Sequence, residues 1–188
     1  MKKWLLIFVI FIAGCSNNEV QQDSLFLLPE TSATAIANNS LPLLVVSTEL
    51  DSYLAQANLV YRVSDTKVIL ANHNSWAHQI SKQIDQRMAS NLRATQKHYW
   101  PIAGHSSMQL TNQTVLKIHL NKFNGAFTGE AELSGEWLLI NPQGKLIKGG
   151  QFDINTPLEA DGYEQLVTSL AKGLVELSND ISKQINTL

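Results

Sequence analysis

The chain has 188 residues, with 14 Lys and Arg set against 16 Asp and Glu, a length that fits one domain plus a tether around a single core. Its mildly acidic balance excludes a nucleic-acid-binding role, which needs clustered basic side chains to neutralise phosphates. The single cysteine, Cys15, excludes an intramolecular disulfide and any CxxC metal or redox site.

The N-terminus reads as an export signal. Lys2 and Lys3 precede the apolar run Trp4 to Ala13, and Gly14-Cys15 follows, so positive, apolar and small-residue regions stand in secretory order. The run is about half of the roughly 20 residues a membrane-spanning helix needs, which favours cleavage over a permanent span. Ile12-Ala13-Gly14-Cys15 fits the bacterial lipobox, in which the cysteine sulfur accepts diacylglycerol. A further acyl chain on the new amino group would carry the anchor past the one-chain limit, where membrane binding is marginal. Ser16, in place of the aspartate that commonly retains lipoproteins in the inner membrane, points to the outer membrane. The expected organisation is a signal peptide over 1–14, a lipidated flexible tether over 15–40 and one periplasmic domain over 41–188. The tether is polar and small-residue-rich, interrupted by a short strand at Leu25 to Leu28.

In chain order, Leu43 to Ser47 and Leu59 to Val63 read as strands, and Ser64-Asp65-Thr66-Lys67 turns the second into Val68 to Ala71. Trp76 falls in the link to a helix from Ala77 to about Lys97, whose apolar stripe is Ala77, Ile80, Ile84, Met88 and Leu92. Lys82, Gln83, Asp85, Gln86 and Arg87 form its outward face. Pro101 and Gly104 close that region. Thr114 to Asn121 alternates as a half-buried strand, with turn chemistry at Asn124-Gly125 and Thr128-Gly129. Glu130 to Ile140 and, after Asn141-Pro142-Gln143-Gly144, Lys145 to Phe152 complete a meander. Asp161 and Glu164 suggest a capping box for a last helix. Its stripe runs through Tyr163, Leu166, Val167, Leu170, Leu174, Leu177, Ile181 and Ile185, with Gly173 a weak point. The order βββαβββα predicts an α+β fold, a two-layer sandwich of a mixed or antiparallel sheet under two amphipathic helices.

Reactive chemistry is sparse. His73, His78, His98, His105 and His119 show no HExxH or paired metal-ligand spacing. His105-Ser106-Ser107 sets a base beside hydroxyls but misses the G-x-S-x-G elbow, and Lys148-Gly149-Gly150 lacks the phosphate-loop spacing. Glu130, Glu132 and Glu136 alternate on one strand face opposite Ala131, Leu133 and Gly135, the pattern of a solvated sheet face. Trp76 and Trp137 read as core or platform residues. No catalytic, cofactor-binding or metal-binding residue is expected. A hydrolase using His105 and a serine, and a monomeric envelope tether, are the competing readings. Tyr53 and Leu54, in the long link between the first two strands, are either the candidate partner contact on an exposed loop or side chains folded back onto the core.

Four stretches carry a family resemblance: Tyr53-Leu54-Ala55-Gln56-Ala57-Asn58-Leu59-Val60-Tyr61-Arg62, Asn72-His73-Asn74-Ser75-Trp76-Ala77, Ser134-Gly135-Glu136-Trp137-Leu138-Leu139 and Asp161-Gly162-Tyr163-Glu164. In this order they make the chain resemble, from signal peptide to last helix, the auxiliary lipoproteins of ABC-type lipid-transport systems. Many members carry Asp-Arg-Pro near Ala55 to Ala57 and Trp-Ala-Glu-Pro-Leu at the first helix. The stretch here is Trp76-Ala77-His78-Gln79-Ile80, which favours the paraquat-inducible subgroup. The resemblance implies a non-enzymatic subunit that partners a mammalian-cell-entry (MCE) tube protein across the periplasm and supports membrane integrity. A tube with rotational symmetry is best met by a homo-oligomeric ring.

Overall fold

A computed structural model of the protein describes residues 22–30, 40–104 and 112–188. Its strands are β1 (Ser24–Phe26), β2 (Leu43–Leu50), β3 (Asn58–Ser64), β4 (Lys67–Trp76), β5 (Trp100–Ala103), β6 (Thr114–Ala126), β7 (Glu130–Ile140) and β8 (Leu146–Pro157). The helices are α1 (Ile80–Thr95), between β4 and β5, and α2 (Tyr163–Ile185), after β8. The strands form one mixed eight-stranded sheet, so the α+β class expected from the sequence holds.

The long strand β6 organises the sheet. Along one edge it pairs in parallel first with β2, over Thr114 to Leu120, and then with β3, at Gly125 and Ala126. The other edge takes β7 antiparallel, with β8 beyond it as the expected meander. Short β5 lies parallel outside β2. Beyond β3 come β4, antiparallel, and β1, parallel.

Helix α1 lies over β2 and β5, α2 lies over β6 to β8, and the two touch, joined by a buried hydrogen bond from Asn91 Nδ2 to Ser178 Oγ (3.0 Å). Both therefore cover one sheet face. Leu44, Leu116, Ile118 and Leu139 rise from the sheet into the core that Ile84, Met88, Leu92, Leu174 and Ile181 close from above. Each such side chain contributes about 1.5–3 kcal/mol of burial. At Gly173 a Cβ would sit 3.3 Å from Leu133 Cδ2 and 3.4 Å from Thr156 Oγ1, so its bareness lets α2 approach the sheet closely.

Several local expectations need correction. Strand β5 was absent from the sequence reading. Its four residues give no periodicity, and Pro101 is tolerated because, among the described residues, β5 pairs with β2 alone, at the sheet edge. Trp76 closes β4 and packs on Phe123, with ring centroids 5.9 Å apart. Helix α1 begins at Ile80, leaving Ala77 exposed. Gln83 and Asp85 face inward. The Gln83 amide spans two backbones, accepting from Leu28 N (2.9 Å) and donating to His78 O (3.0 Å), so the segment after β1 covers a face that would otherwise meet water. That segment brings Leu28 into the core, and the folded unit therefore reaches back into residues read as tether. Asp161 makes no capping bond; Gly162, at φ +109°, precedes the first turn of α2.

Candidate functional site

The face of the sheet opposite the helices carries a groove of about 720 Å³, lined among others by Tyr53, Arg62, His119, Lys122, Asn124 and Glu136. A bulge in β6 makes it. The strand's register slips between Leu120 and Lys122, and an extra residue there reverses which positions face the core. Before the bulge Leu116, Ile118 and Leu120 are buried while Lys117 and His119 look out. After it Phe123 is the core residue, and Lys122 and Asn124 join the outward set. Asn121 at the bulge is tied on both sides: its backbone oxygen accepts from Tyr53 Oη (2.5 Å) and its Oδ1 from Ser134 Oγ (2.6 Å).

Behind the lining residues Arg62, Lys122 and Asn124, Glu132 is 5% exposed, not on a solvated face as its alternation with Glu130 and Glu136 suggested. Strand β3 lays Arg62 across it, donating from Nε to Oε2 (2.8 Å) and from Nη2 to Oε1 (2.6 Å). Asn124 Nδ2 adds a third bond to Oε2 (2.8 Å), and Lys122 Nζ lies 3.9 Å from Oε1. The guanidinium's hydrogen bonds hold the Glu132 carboxyl below the usual carboxylate range, overcoming the opposing effect of burial. Arg62 also lies under Phe127, 4.9 Å from its ring centre. The cluster thus pins β3, β6 and β7 with a bidentate charged pair, and the cationic groups nearest Glu132 are directed at it rather than at the groove's opening.

This cluster was missed in the sequence. A charged residue in the β3 alternation and the loss of alternation after Leu120 were its visible traces. Asn124-Gly125 was read as a turn but lies inside β6; the turn is at Phe127 to Gly129, where Gly129 has φ +83°. Gly125 is small because the Tyr61 ring lies on it, 2.6 Å from where a Cβ would be.

The candidate contact residues part company. Leu54 is 3% exposed and belongs to the core. Tyr53 packs partly against that core and lines the groove, its phenol pKa raised by burial and then by Asp51 and Glu132. His119 Nε2 is 2.9 Å from Asp51 Oδ1, and His73 Nδ1 is 2.9 Å from Asp23 Oδ1. Among the described residues no three His, Cys, Asp or Glu side chains come together as metal ligands. Cys15, Ser16 and His105 lie outside the described residues.

Two helices over one face of a mixed sheet define an α+β class, and within it the chain belongs to the family of ABC-type transport auxiliary lipoprotein components, whose model matches residues 26–182. Within that family it is similar to the intermembrane transport lipoprotein PqiC of Escherichia coli (strain K12) and to that of Shigella flexneri, each 36% identical over the full length of both chains. The paraquat-inducible assignment therefore stands. Among solved structures, a crystal structure of an uncharacterized protein superposes with a TM-score of 0.72 at 29% identity, covering 87% of this chain and 99% of that one. A Xanthomonas campestris protein shares the fold, with a TM-score of 0.60 at 12% identity over 89% of this chain and 97% of its own.

Proposed function

We propose that the protein is a non-catalytic subunit of an MCE-type intermembrane lipid transport system. Lipid on Cys15 holds it to the inner leaflet of the outer membrane, and its domain receives the end of the periplasmic tube. The observation that carries this reading is the 36% identity with an intermembrane transport lipoprotein over the full length of both chains. Binding is the mechanism. The groove on the helix-free face presents hydrogen-bonding groups on a rigid, charge-pinned sheet, and Tyr53 at its wall is the contact residue that remains accessible. A rotationally symmetric tube end is matched by a ring of identical copies, because a cyclic assembly repeats one interface until it closes.

The test is co-purification of the detergent-solubilised, lipidated full chain with the MCE tube protein from the same genome, with mass measurement of the free subunit. Retention of the tube protein and a multimeric mass support the reading. A monomer that leaves the tube protein unbound refutes it.

A further inference from the structure

We infer that the edge of the sheet formed by β1 and β4 is the side this protein turns to the bilayer, meeting the lipid headgroup region with Leu25, Leu27, Val68, Ile69, Leu70 and Phe127. The inference rests on the proposed lipid at Cys15.

Exposed apolar side chains concentrate at this edge and at the adjoining end of β3, where Phe127 N donates to Arg62 O. Those six, between 42% and 67% exposed, stand among ten exposed large apolar residues in the described part of the chain. In β4 the exposure covers both faces of the strand: Lys67, Val68, Ile69 and Leu70 are all exposed in succession. A hydrophobic strand ordinarily buries at least one face, and contiguous exposed apolar surface marks a contact. The strand's outer edge is also open. Strand β1 covers only Asn74 to Trp76, and among the described residues no strand flanks β4 on that side from Lys67 to His73. Natural edge strands are usually blunted by charge or proline; here the open stretch has one charge, Lys67 at the turn, and then Val, Ile and Leu.

The path of the chain says what covers it. Strand β1 is parallel to β4, with Ser24 opposite Asn74. Followed back toward Cys15, the chain therefore runs toward the β3–β4 turn. Asp23 still follows that course, its carboxylate 2.9 Å from the His73 ring. From Ser24 to Val68 along β4 is about 20 Å at 3.3 Å per residue. The nine residues from Ser24 back to Cys15 span at most about 32 Å. The described residues nearest Cys15 thus leave the sheet along the strand that bears the exposed apolar side chains, and a bilayer holding lipid at Cys15 lies within reach of this edge. The charges flanking the edge, Asp23 and Asp65 with Arg62 and Lys67, are mixed in sign, so the contact does not depend on anionic lipid.

The single native cysteine is consumed by acylation, so an added cysteine can be labelled alone. The lipidated full chain bearing Leu70→Cys or Phe127→Cys at the edge, or Val175→Cys on the outer side of α2 as control, is labelled with an environment-sensitive fluorophore. It is then reconstituted in phosphatidylethanolamine/phosphatidylglycerol vesicles containing a headgroup-level nitroxide lipid. The expected result is several-fold stronger quenching at 70 and 127 than at 175, persisting in phosphatidylcholine vesicles. Equal quenching at all three positions in protein that floats with vesicles and carries acyl label overturns the surface while leaving the anchor intact. So does an edge signal that tracks protein concentration instead of quencher, which would assign the edge to a second copy. Protein that neither floats nor carries acyl label overturns the anchor as well.

Discussion

Replacing Glu132 by Gln tests whether the charged pair beneath the groove fixes the sheet. The carboxylate accepts two bonds from Arg62 and one from Asn124. The amide keeps one acceptor, turns an NH₂ toward a guanidinium and removes the countercharge. Breaking a buried pair from one side costs about 3–5 kcal/mol, and loss of a single hydrogen bond to a charged group about 1.5–3 kcal/mol. Because the Arg62 side chain is 18% exposed and can rehydrate, the lower end applies, about 3 kcal/mol. For a domain of this size that is a fall in Tm of about 6–12 °C. The pH dependence has a definite sign. The folded Glu132 pKa is depressed, so its contribution is complete above the unfolded value of about 4.3 and disappears as pH falls through the lower folded value. Thermal unfolding of wild type and Glu132→Gln from pH 7 to pH 3 should therefore show a gap that is widest at neutral pH and closes in acid. Adding Arg62→Met to Glu132→Gln should recover part of the loss by removing the stranded cation. Variant and wild type melting together at pH 7, or a gap unchanged at pH 3, would refute the reasoning.

Leu54→Ala should lower stability by about 3 kcal/mol by opening a cavity, whereas Tyr53→Phe should cost about 1 kcal/mol through its lost bond to Asn121. Denaturant unfolding separates them, and weaker tube-protein capture by Tyr53→Phe at full folding would place the contact at the groove. Gly135→Ala would put a Cβ 1.9 Å from the His119 carbonyl oxygen; we expect a loss of about 3 kcal/mol or poor expression of folded protein, read by circular dichroism. Cys15→Ser should abolish fatty-acid labelling of the protein in cells, and persistent label would reject Cys15 as the acceptor. Ser16→Asp should shift the lipoprotein toward the inner membrane, checked by membrane fractionation.

What the sequence determined by itself is local and periodic. The stripe of α2 from Leu166 to Ile185 is buried as its spacing requires, and the β3–β4 hairpin, β6 up to Leu120 and the β7–β8 turn at Asn141 to Gly144 follow their turn residues and alternation. The four stretches that carry the family resemblance are legible because each is a contiguous run of residues. Tertiary structure decided whatever depends on a distant segment. Gln83 is inside because Leu28 folds over it, and Glu132 is inside because Arg62, 70 positions away in the chain, lies across it. Strand β5 exists because β2 offers an edge. The groove exists because one extra residue in β6 reverses the strand's parity, and the alternation downstream of Leu120 can be assigned to a face only once the partner strand fixes the register.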